Sequence, residues 1–278
     1  MKKLIAVFTV LSCGCLLFAI DVSPYISLKG NVRSYTITEY VITSKFGDYF
    51  RTPELKITHT MNAAGYETES SEFTPRDTLI NKIVNTYDAG NRLTAQTASD
   101  ADNQVIWRNA ITYNANGNRT DMSEYGADGA LKSRTIYTYN AAQQLVDETT
   151  YNGDGELVWK TVYTYHDTGR LATRIQYAAS GMIDEAFEYV YTSSGMLESV
   201  VTRSPVGKVV VRDIFRYSKE NVLNEVTTVD SENRTVARKI LRYDESGNVA
   251  RISDYTVARK FGTTVNELVD MKEYAYRY

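Results

Sequence analysis

Leu131-Lys132-Ser133-Arg134-Thr135-Ile136-Tyr137-Thr138-Tyr139 decides the fold, because its side chains alternate in character along the chain. In an extended conformation, one side carries Leu131, Ser133, Thr135, Tyr137 and Tyr139. The other side is mostly polar. A period of two predicts a β-strand with one aromatic and aliphatic face. Asp128-Gly129, just before the stretch, is a dipeptide typical of hairpin turns, because both residues accept a positive φ.

The pattern recurs every 26 residues. Tyrosines mark this period at Tyr87, Tyr113, Tyr139, Tyr165, Tyr191, Tyr217 and Tyr243, and Met61 continues it upstream. Four residues after each anchor comes a turn residue: Gly65, Asn91, Gly117, Gln143, Gly169, Gly195, Asn221 and Gly247. Each unit consists of two near-halves of tyrosine, turn and strand, so the period predicts two strands per unit.

The two end units are longer than the others. If Ile26 is the first anchor, 35 residues separate it from Met61, and 35 separate Tyr243 from Tyr278. Both contain Lys-Phe-Gly, at residues 45–47 and 260–262. We interpret them as caps on the edges of the sheet, or alternatively as parts of a larger duplicated block. Residues 21–278 then form a single β-repeat domain, with end units at 26–60 and 243–278 and regular units over 61–242.

These patterns predict an all-β protein: a continuous antiparallel meander of β-hairpins with about 16 strands, extended or curled like a solenoid. A β-propeller is the alternative, with two units supplying the four strands of a blade. An outer-membrane barrel is less favoured, because neither face suits lipid. One face of the quoted stretch carries Lys132 and Arg134, and a central charge costs about 2–4 kcal/mol in a bilayer.

The N-terminus differs in character. Lys2 and Lys3 precede an apolar run over residues 4–20, which predicts a cleaved signal peptide. Val10-Leu11-Ser12-Cys13 also resembles a bacterial lipobox, so Cys13, and secondarily Cys15, are lipidation candidates; cleavage near Ala19 competes, and a retained anchor is less favoured. The protein is therefore expected to be exported to the periplasm, the outer surface or the medium. Its net charge of −3 becomes −5 without Lys2 and Lys3.

Several turns resemble a known bacterial motif. Residues 87–93, 165–171 and 243–249 begin with Tyr-Asp or Tyr-His and end with Gly or Asn, one polar residue, and Leu or Val. They are similar to the YD repeat of RHS-type proteins, and the resemblance covers roughly residues 61–255. It implies strand-rich sheets that curl into shells, some of which enclose a toxic cargo. This chain departs from the family in its longer period and short length, so the resemblance supports the fold and not a toxin activity.

Candidate catalytic residues are scarce. The two histidines are interpreted as a turn residue, His166, and a strand residue, His59. Acidic residues recur at turns, where they fit turn chemistry better than a paired-carboxylate site: Asp128, Asp154, Asp167 and Asp244. No phosphate loop, metal set or catalytic triad can be assembled, so no catalytic, metal or cofactor-binding residue is assigned. The absence of basic runs argues against nucleic acid.

The function that fits is a non-enzymatic bacterial envelope or secreted repeat protein, acting as a binding or structural scaffold. A hydrolase using carboxylates on a concave sheet surface, and a relative or fragment of an RHS toxin shell, are the alternatives. Partners would be a protein or a glycan at the cell surface, with self-association through a sheet edge or the tyrosine face. Trp107 and Trp159 lie 52 residues apart, in phase with the repeat. They are interpreted first as core residues and second as stacking surfaces for glycans.

Overall fold

The structure, a computed structural model, describes residues 20–45, 48–260 and 262–278. Within these ranges, a 3-10 helix (Ser23–Tyr25) precedes eighteen strands. In chain order the strands are β1 (Ser34–Lys45), β2 (Asp48–Met61), β3 (Glu67–Phe73), β4 (Leu79–Tyr87), β5 (Leu93–Asp100), β6 (Val105–Tyr113), β7 (Arg119–Gly126), β8 (Leu131–Tyr139), β9 (Leu145–Asn152), β10 (Leu157–Tyr165), β11 (Leu171–Ala178), β12 (Ile183–Tyr191), β13 (Leu197–Arg203), β14 (Val209–Tyr217), β15 (Leu223–Asp230), β16 (Thr235–Tyr243), β17 (Val249–Lys260) and β18 (Thr263–Arg277).

The strands form one closed sheet. Each strand pairs antiparallel with the next, and β1 also pairs with β18, from Ser34 opposite Arg277 to Val41 opposite Asp270. The predicted antiparallel meander is confirmed. The predictions of about 16 strands in an open or curled array, and of a propeller as the alternative, are wrong. The two terminal strands satisfy each other's edge hydrogen bonds and close a barrel.

The long end units form two extended hairpins. Beyond the closing pairs, β1 and β2 continue to Lys45 opposite Asp48, and β17 and β18 continue to Lys260 opposite Thr263. The expected capping role does not arise, because no open edge remains in the described sheet. Ile26, taken as the first anchor, lies outside the strands, where it follows the 3-10 helix and packs against the core.

The turns explain the recurring Gly, Asn and Asp. The fourth residue after the anchor has a positive φ also where it is not glycine: 59° at Asn91, 61° at Gln143 and 61° at Asn221. The predicted hairpin-turn chemistry is thus confirmed. The residue after the anchor caps the turn, as when Asp88 Oδ1 accepts the N–H groups of Gly90 and Arg92, both at 2.9 Å. Such side-chain caps are the reason why Asp and Asn recur there.

Most anchor tyrosines tie their unit to the one before it. Five of the seven hydroxyls donate to the backbone oxygen twenty residues earlier, which belongs to the residue that follows the preceding turn. The bonds are Tyr87 to Glu67 (2.6 Å), Tyr113 to Leu93 (2.7 Å), Tyr165 to Leu145 (2.6 Å), Tyr217 to Leu197 (2.9 Å) and Tyr243 to Leu223 (2.5 Å). A register shift accompanies each of these strand beginnings. Each hydroxyl therefore satisfies a carbonyl at an irregular point of the ladder.

The register fixes which face is inside. On β4 the backbone groups of Thr86 point forward to β5, and those of Tyr87 point back to β3. Thr86 on β4 pairs with Ala95 on β5, and Ala95 pairs with Ala110 on β6. By the 26-residue period Ala110 corresponds to Val84 and not to Thr86. The register therefore shifts in the same direction from one unit to the next. The handedness of L-residues fixes the direction in which a sheet twists. Together with the backbone directions and the register shift, this twist places the face that carries the tyrosines on the concave side of the barrel, toward the lumen.

The outer wall of the barrel is charged along the middle of its strands. Ion pairs join neighbouring strands there: Asp121 with Arg134, Asp147 with Lys160, Glu188 with Arg203 and Glu225 with Arg238. Exposed pairs of this kind contribute about 0–1 kcal/mol each, so they add little to the stability of the barrel. No helix of the described chain is long and apolar enough to cross a membrane.

The chain before β1 packs on the inner face of β13 to β18. Val22 is 2% exposed and belongs to a buried cluster with Leu197, Val200, Phe215, Leu223, Val226, Leu241, Val249 and Ile252. The Tyr25 ring meets the edge of Phe215 at 5.1 Å between centroids. Farther along, the Lys29 N–H donates to Asn248 Oδ1 at 2.7 Å, and Asn248 donates back to Lys29 O at 3.0 Å. Residues 20–33, the N-terminal segment, therefore cover one side of the lumen.

Closure is testable by cross-linking. Thr36 on β1 lies opposite Ala275 on β18. With Cys13 and Cys15 changed to serine, Thr36→Cys combined with Ala275→Cys should form a disulfide under mild oxidation, because directly paired strand residues bring their Cβ atoms close enough. Electrophoretic mobility before and after reduction measures this. Thr36→Cys combined with Arg108→Cys on β6 is the control, and equal cross-linking of both pairs would contradict closure.

The N-terminal segment should contribute to stability. Val22→Ala should lower the free energy of unfolding by about 2 kcal/mol, because it removes methyl groups from a fully buried position. Leu28→Ala is the matched control in the same segment, since Leu28 is 39% exposed. Urea unfolding measures both variants. Equal losses would show that the segment is not packed as described.

Candidate functional site

The lumen wall has two parts of different character. Inward side chains of β13 to β17 are largely buried under the N-terminal segment. Those of β4 to β12 are mostly half-buried, so water reaches them: examples are Asn85, Trp107, Tyr137, Glu148 and Tyr163. The accessible wall over β4 to β12 is the part of the interior that has room for chemistry, and it is the candidate functional site.

Comparison across the units shows where this wall departs from the repeat. One inward position, spaced by 26, runs Ser70, Gln96, Met122, Glu148, Arg174, Val200, Val226 and Ile252. The position that is Leu93, Leu145, Leu171, Leu197, Leu223 and Val249 in other units is Arg119 in one. Charges at these inward positions are not required by the fold, because the other units form the same hairpins without them.

These departing residues meet in the lumen. Arg119 lies over the Tyr137 ring, 5.3 Å from guanidinium carbon to centroid, with Nη1 3.5 Å from the hydroxyl. Arg174 stacks on Phe187 at 5.4 Å and donates to Glu185 Oε2 and Gln176 Oε1, each at 3.3 Å. We call Arg119, Tyr137, Glu148, Tyr163 and Arg174 the central lumen cluster.

Electrostatics within the cluster are shaped by burial. Loss of hydration raises the pKa of Glu148, although a hydrogen bond from Tyr163 and the charge of Arg174 act the other way. Burial likewise raises the pKa of Glu124. Burial and the nearby Glu148 raise the pKa of Tyr163. The wall therefore offers carboxyl and hydroxyl groups that can exchange hydrogen bonds with a polar ligand.

An amide row extends the polar wall beside the cluster. Gln96 donates to Asn85 Oδ1 at 3.0 Å, and Asn109 donates to Gln96 Oε1 at 3.3 Å. Asn109 Oδ1, at the end of the row, is shielded from solvent and finds no donor in the part of the chain that the structure describes. A buried acceptor without a partner costs roughly 1–3 kcal/mol unless something supplies a hydrogen.

The opposite wall carries buried charges that are structural in character. Lys239 and Asp254 form an ion pair at 2.7 Å. Asp213 accepts from the Thr228 hydroxyl at 2.5 Å and from the Ile20 N–H, while burial raises the pKa of Asp213. These groups are engaged with each other and with the N-terminal segment, so they are not counted as candidate site residues.

The residues singled out in the sequence lie at different parts of the barrel. Trp107 and Trp159 both occupy the inward face, by register, near the rim opposite the anchor tyrosines. Cys13 and Cys15, the lipidation candidates, lie outside the described residues. The anchors Tyr87, Tyr113, Tyr139, Tyr165, Tyr191, Tyr217 and Tyr243 stand at strand ends around one rim.

The histidines and turn acids do not converge. His166 is an exposed turn residue, as predicted, with Nε2 3.2 Å from Tyr189 O. His59 is a strand residue, as predicted, stacked on Tyr35 at 4.5 Å with Nδ1 2.9 Å from Glu67. The turn acids Asp128, Asp154, Asp167 and Asp244 lie in separate hairpins. Hydrogen bonds from Ala130 and Lys132 lower the pKa of Asp128, which suits a turn cap.

The sequence contained a signal for the central lumen cluster. Arg119 interrupts the series of Leu and Val at its repeat position. Glu148 and Arg174 are charged at a repeat position that holds Val200, Val226 and Ile252 in later units. Pattern alone could not show that the three residues face each other, because their proximity depends on the curvature of the closed wall.

Comparison with solved structures supports the fold. The chain is similar to a porin-like protein from Bacteroides uniformis, with 14% identity over 90% of this chain and 99% of the other and a TM-score of 0.50. It also matches the Photorhabdus luminescens Tc holotoxin pore at 14% identity and a TM-score of 0.35, over 77% of this chain but 14% of that one. No protein-family model and no curated protein matches the sequence. The first likeness supports the barrel fold.

The raised pKa of Glu148 has a consequence for stability. If the pKa of a carboxyl is higher in the folded than in the unfolded state, the folded protein loses stability as the pH rises above the unfolded pKa, about 4. Glu148→Gln keeps the shape and removes the ionisation. The free energy of unfolding of the variant, relative to the unmodified protein, should therefore increase from pH 4 to pH 7, as urea titrations at several pH values would measure.

Asp147→Asn provides the matched control for this prediction. Asp147 is the adjacent residue on the same strand, but it faces outward and pairs with Lys160. This substitution should cost about 0–1 kcal/mol, with no gain in stability toward pH 7. A gain in the Asp147 variant, or none in the Glu148 variant, would contradict the placement of Glu148 in the lumen.

Proposed function

We propose that the protein is an exported, non-enzymatic binding scaffold of the bacterial cell envelope, and that its water-accessible inner wall is the binding surface. The observation that carries the proposal is the contrast between the two sides of one closed sheet. The outer wall is charged along the strand centres, whereas the inner wall over β4 to β12 combines aromatic rings, amides and paired charges. Such a wall is typical of a ligand site.

Export is supported by the N-terminus. The lysines at positions 2 and 3 and the apolar run to residue 20 suit a signal peptide. The similarity to a porin-like protein is compatible with an envelope location, but the charged outer wall favours an aqueous compartment over a lipid one, since each central charge would cost about 2–4 kcal/mol in a bilayer. A lipid anchor at Cys13 would attach the barrel to a membrane without embedding it.

A carboxylate hydrolase is the second candidate, and Glu148 favours it. A general acid needs a raised pKa, and burial raises that of Glu148. The other lumen carboxylates are less suited to act with it, because Glu185 is held by Arg174 at 3.3 Å. The scaffold therefore remains the preferred function.

Kinship with RHS-type repeat proteins remains a proposal based on the motif. The capped turn gives the motif a physical basis: Asp88 holds the turn backbone, and its second oxygen accepts Arg92 Nε at 2.7 Å. The same need for a stable turn selects the same residues in unrelated hairpins.

Cell fractionation tests the proposed function. Expressed in a Gram-negative host, the protein should be processed near residue 20 and should leave the membrane fraction in alkaline carbonate, because its outer wall is hydrophilic. If carbonate leaves it in the pellet, Cys13→Ser distinguishes the causes: release by this variant supports a lipid anchor, and retention indicates an embedded barrel and overturns the proposal. Hydrolysis of a glycoside or peptide substrate that Glu148→Gln abolishes would favour the second candidate.

A further inference from the structure

We infer that the accessible wall of the lumen binds a neutral, linear oligosaccharide, with the central lumen cluster as the core of the site. This inference rests on the proposed function, since it names the ligand class of the scaffold. Arg119 stands at a repeat position that holds Leu or Val in six other units and Glu67 in the first. The burial of a guanidinium costs stability unless its donors find acceptors, so an arginine at this position requires a reason beyond the fold.

Arg119 has donors to offer a ligand. Within the described chain its neighbours are hydroxyl groups, Tyr137 at 3.5 Å and Tyr113. None of the ion pairs among the described residues includes it. A guanidinium presents five N–H donors in a plane, and pairs of adjacent ligand hydroxyls suit that geometry. Arg119 is therefore placed to bind oxygen atoms of a ligand in the lumen.

Acceptors lie on both sides of Arg119. On one side, Glu148 has a pKa raised by burial, and Tyr163 bonds to it. On the other side lies the amide row of Asn85, Gln96 and Asn109, whose side chains are half-buried. A ligand rich in hydroxyls supplies hydrogens and lone pairs together, so it satisfies acceptor and donor groups along the same wall.

The aromatic side chains indicate sugar rings more than other hydroxyl-rich ligands. Trp107 lies on the inward face of β6, two strands from Tyr137 on β8. A sugar ring has an apolar face of C–H groups that packs on an aromatic ring, and hydroxyls at its edge that reach amides and guanidinium groups. An alternation of aromatic and planar polar side chains matches both features.

The shape and charge of the wall narrow the class further. The wall from β6 to β12 spans six strand spacings, roughly 30 Å, so it suits a linear chain of several units. Over β7 to β12 the inward charges are Arg119 and Arg174 against Glu124, Glu148 and Glu185, a balance of −1. A polyanionic glycan would meet net repulsion there, so a neutral chain fits best.

Binding can be measured with the protein's own fluorophores. The chain has two tryptophans, and both lie on the inward face. Titration of the full-length protein with neutral cello-, malto- and chito-oligosaccharides, with sulfated and uronic-acid oligosaccharides as the anionic arm, should give saturable binding of at least one neutral chain by calorimetry. The same chain should change tryptophan emission and reduce quenching by acrylamide.

Arg119→Leu is the decisive variant. It restores the residue type that other units carry at this position, so it should preserve the fold, which thermal unfolding would verify. It should weaken binding of the neutral chain roughly tenfold or more, because it removes charged hydrogen bonds in a shielded site. Arg108→Leu is the matched control, since Arg108 lies on the neighbouring strand, faces outward and is exposed. This variant should bind like the unmodified protein.

Each remaining outcome overturns the inference. Binding that Arg119→Leu leaves unchanged would place the glycan elsewhere on the molecule. Binding restricted to anionic chains would reject the neutral class, and no binding across a broad glycan array would reject oligosaccharides. None of these results contradicts the exported scaffold, which fractionation tests separately.

Discussion

The hydrogen bond from an anchor tyrosine to a carbonyl twenty residues earlier is the interaction on which the regular array depends. It joins the end of one strand to the beginning of the strand before it, as when Tyr113 at the end of β6 donates to Leu93 O at the beginning of β5. Because the carbonyl lies at a register shift, the sheet ladder alone does not satisfy it. The spacing of 26 residues suits this bond, because it returns the tyrosine of one unit to the irregular point of the unit before it; Tyr87, Tyr113, Tyr165, Tyr217 and Tyr243 make it.

This requirement explains why the repeat was readable from sequence and the closure was not. Tyr87, Asp88 and Asn91 act within one turn or on the adjoining unit, so their roles leave a local pattern. The pairing of β1 with β18 joins residues more than 200 positions apart, and no local pattern records it. The sequence shows that the end units are longer than the others. The same extra length suits an edge cap and a long hairpin beside the β1–β18 pair, so the length did not predict which of the two forms.

The N-terminal segment shows a second limit of sequence reasoning. Ile20, Val22 and Ile26 could be read as the end of a signal and the first anchor of the array, because apolar residues suit both. In the structure they pack on Phe215 and its neighbours across the lumen wall. The partner of this segment is a surface assembled from six strands far along the chain, so no local pattern records the contact.

The divergence among the repeats follows what each inward position faces. Along the position that begins at Ser70, the residues through Arg174 are polar or charged except Met122, and they become Val200, Val226 and Ile252 where the N-terminal segment covers the wall. The neighbouring position follows the same course, from Asn85 through Tyr137 and Tyr163 to Phe215 and Leu241. Since the hairpins themselves are alike, this change cannot reflect strand formation. The covered side requires apolar contact, and the accessible side retains polar groups that cost stability when buried. Those retained groups are the ones that a ligand in the lumen would use.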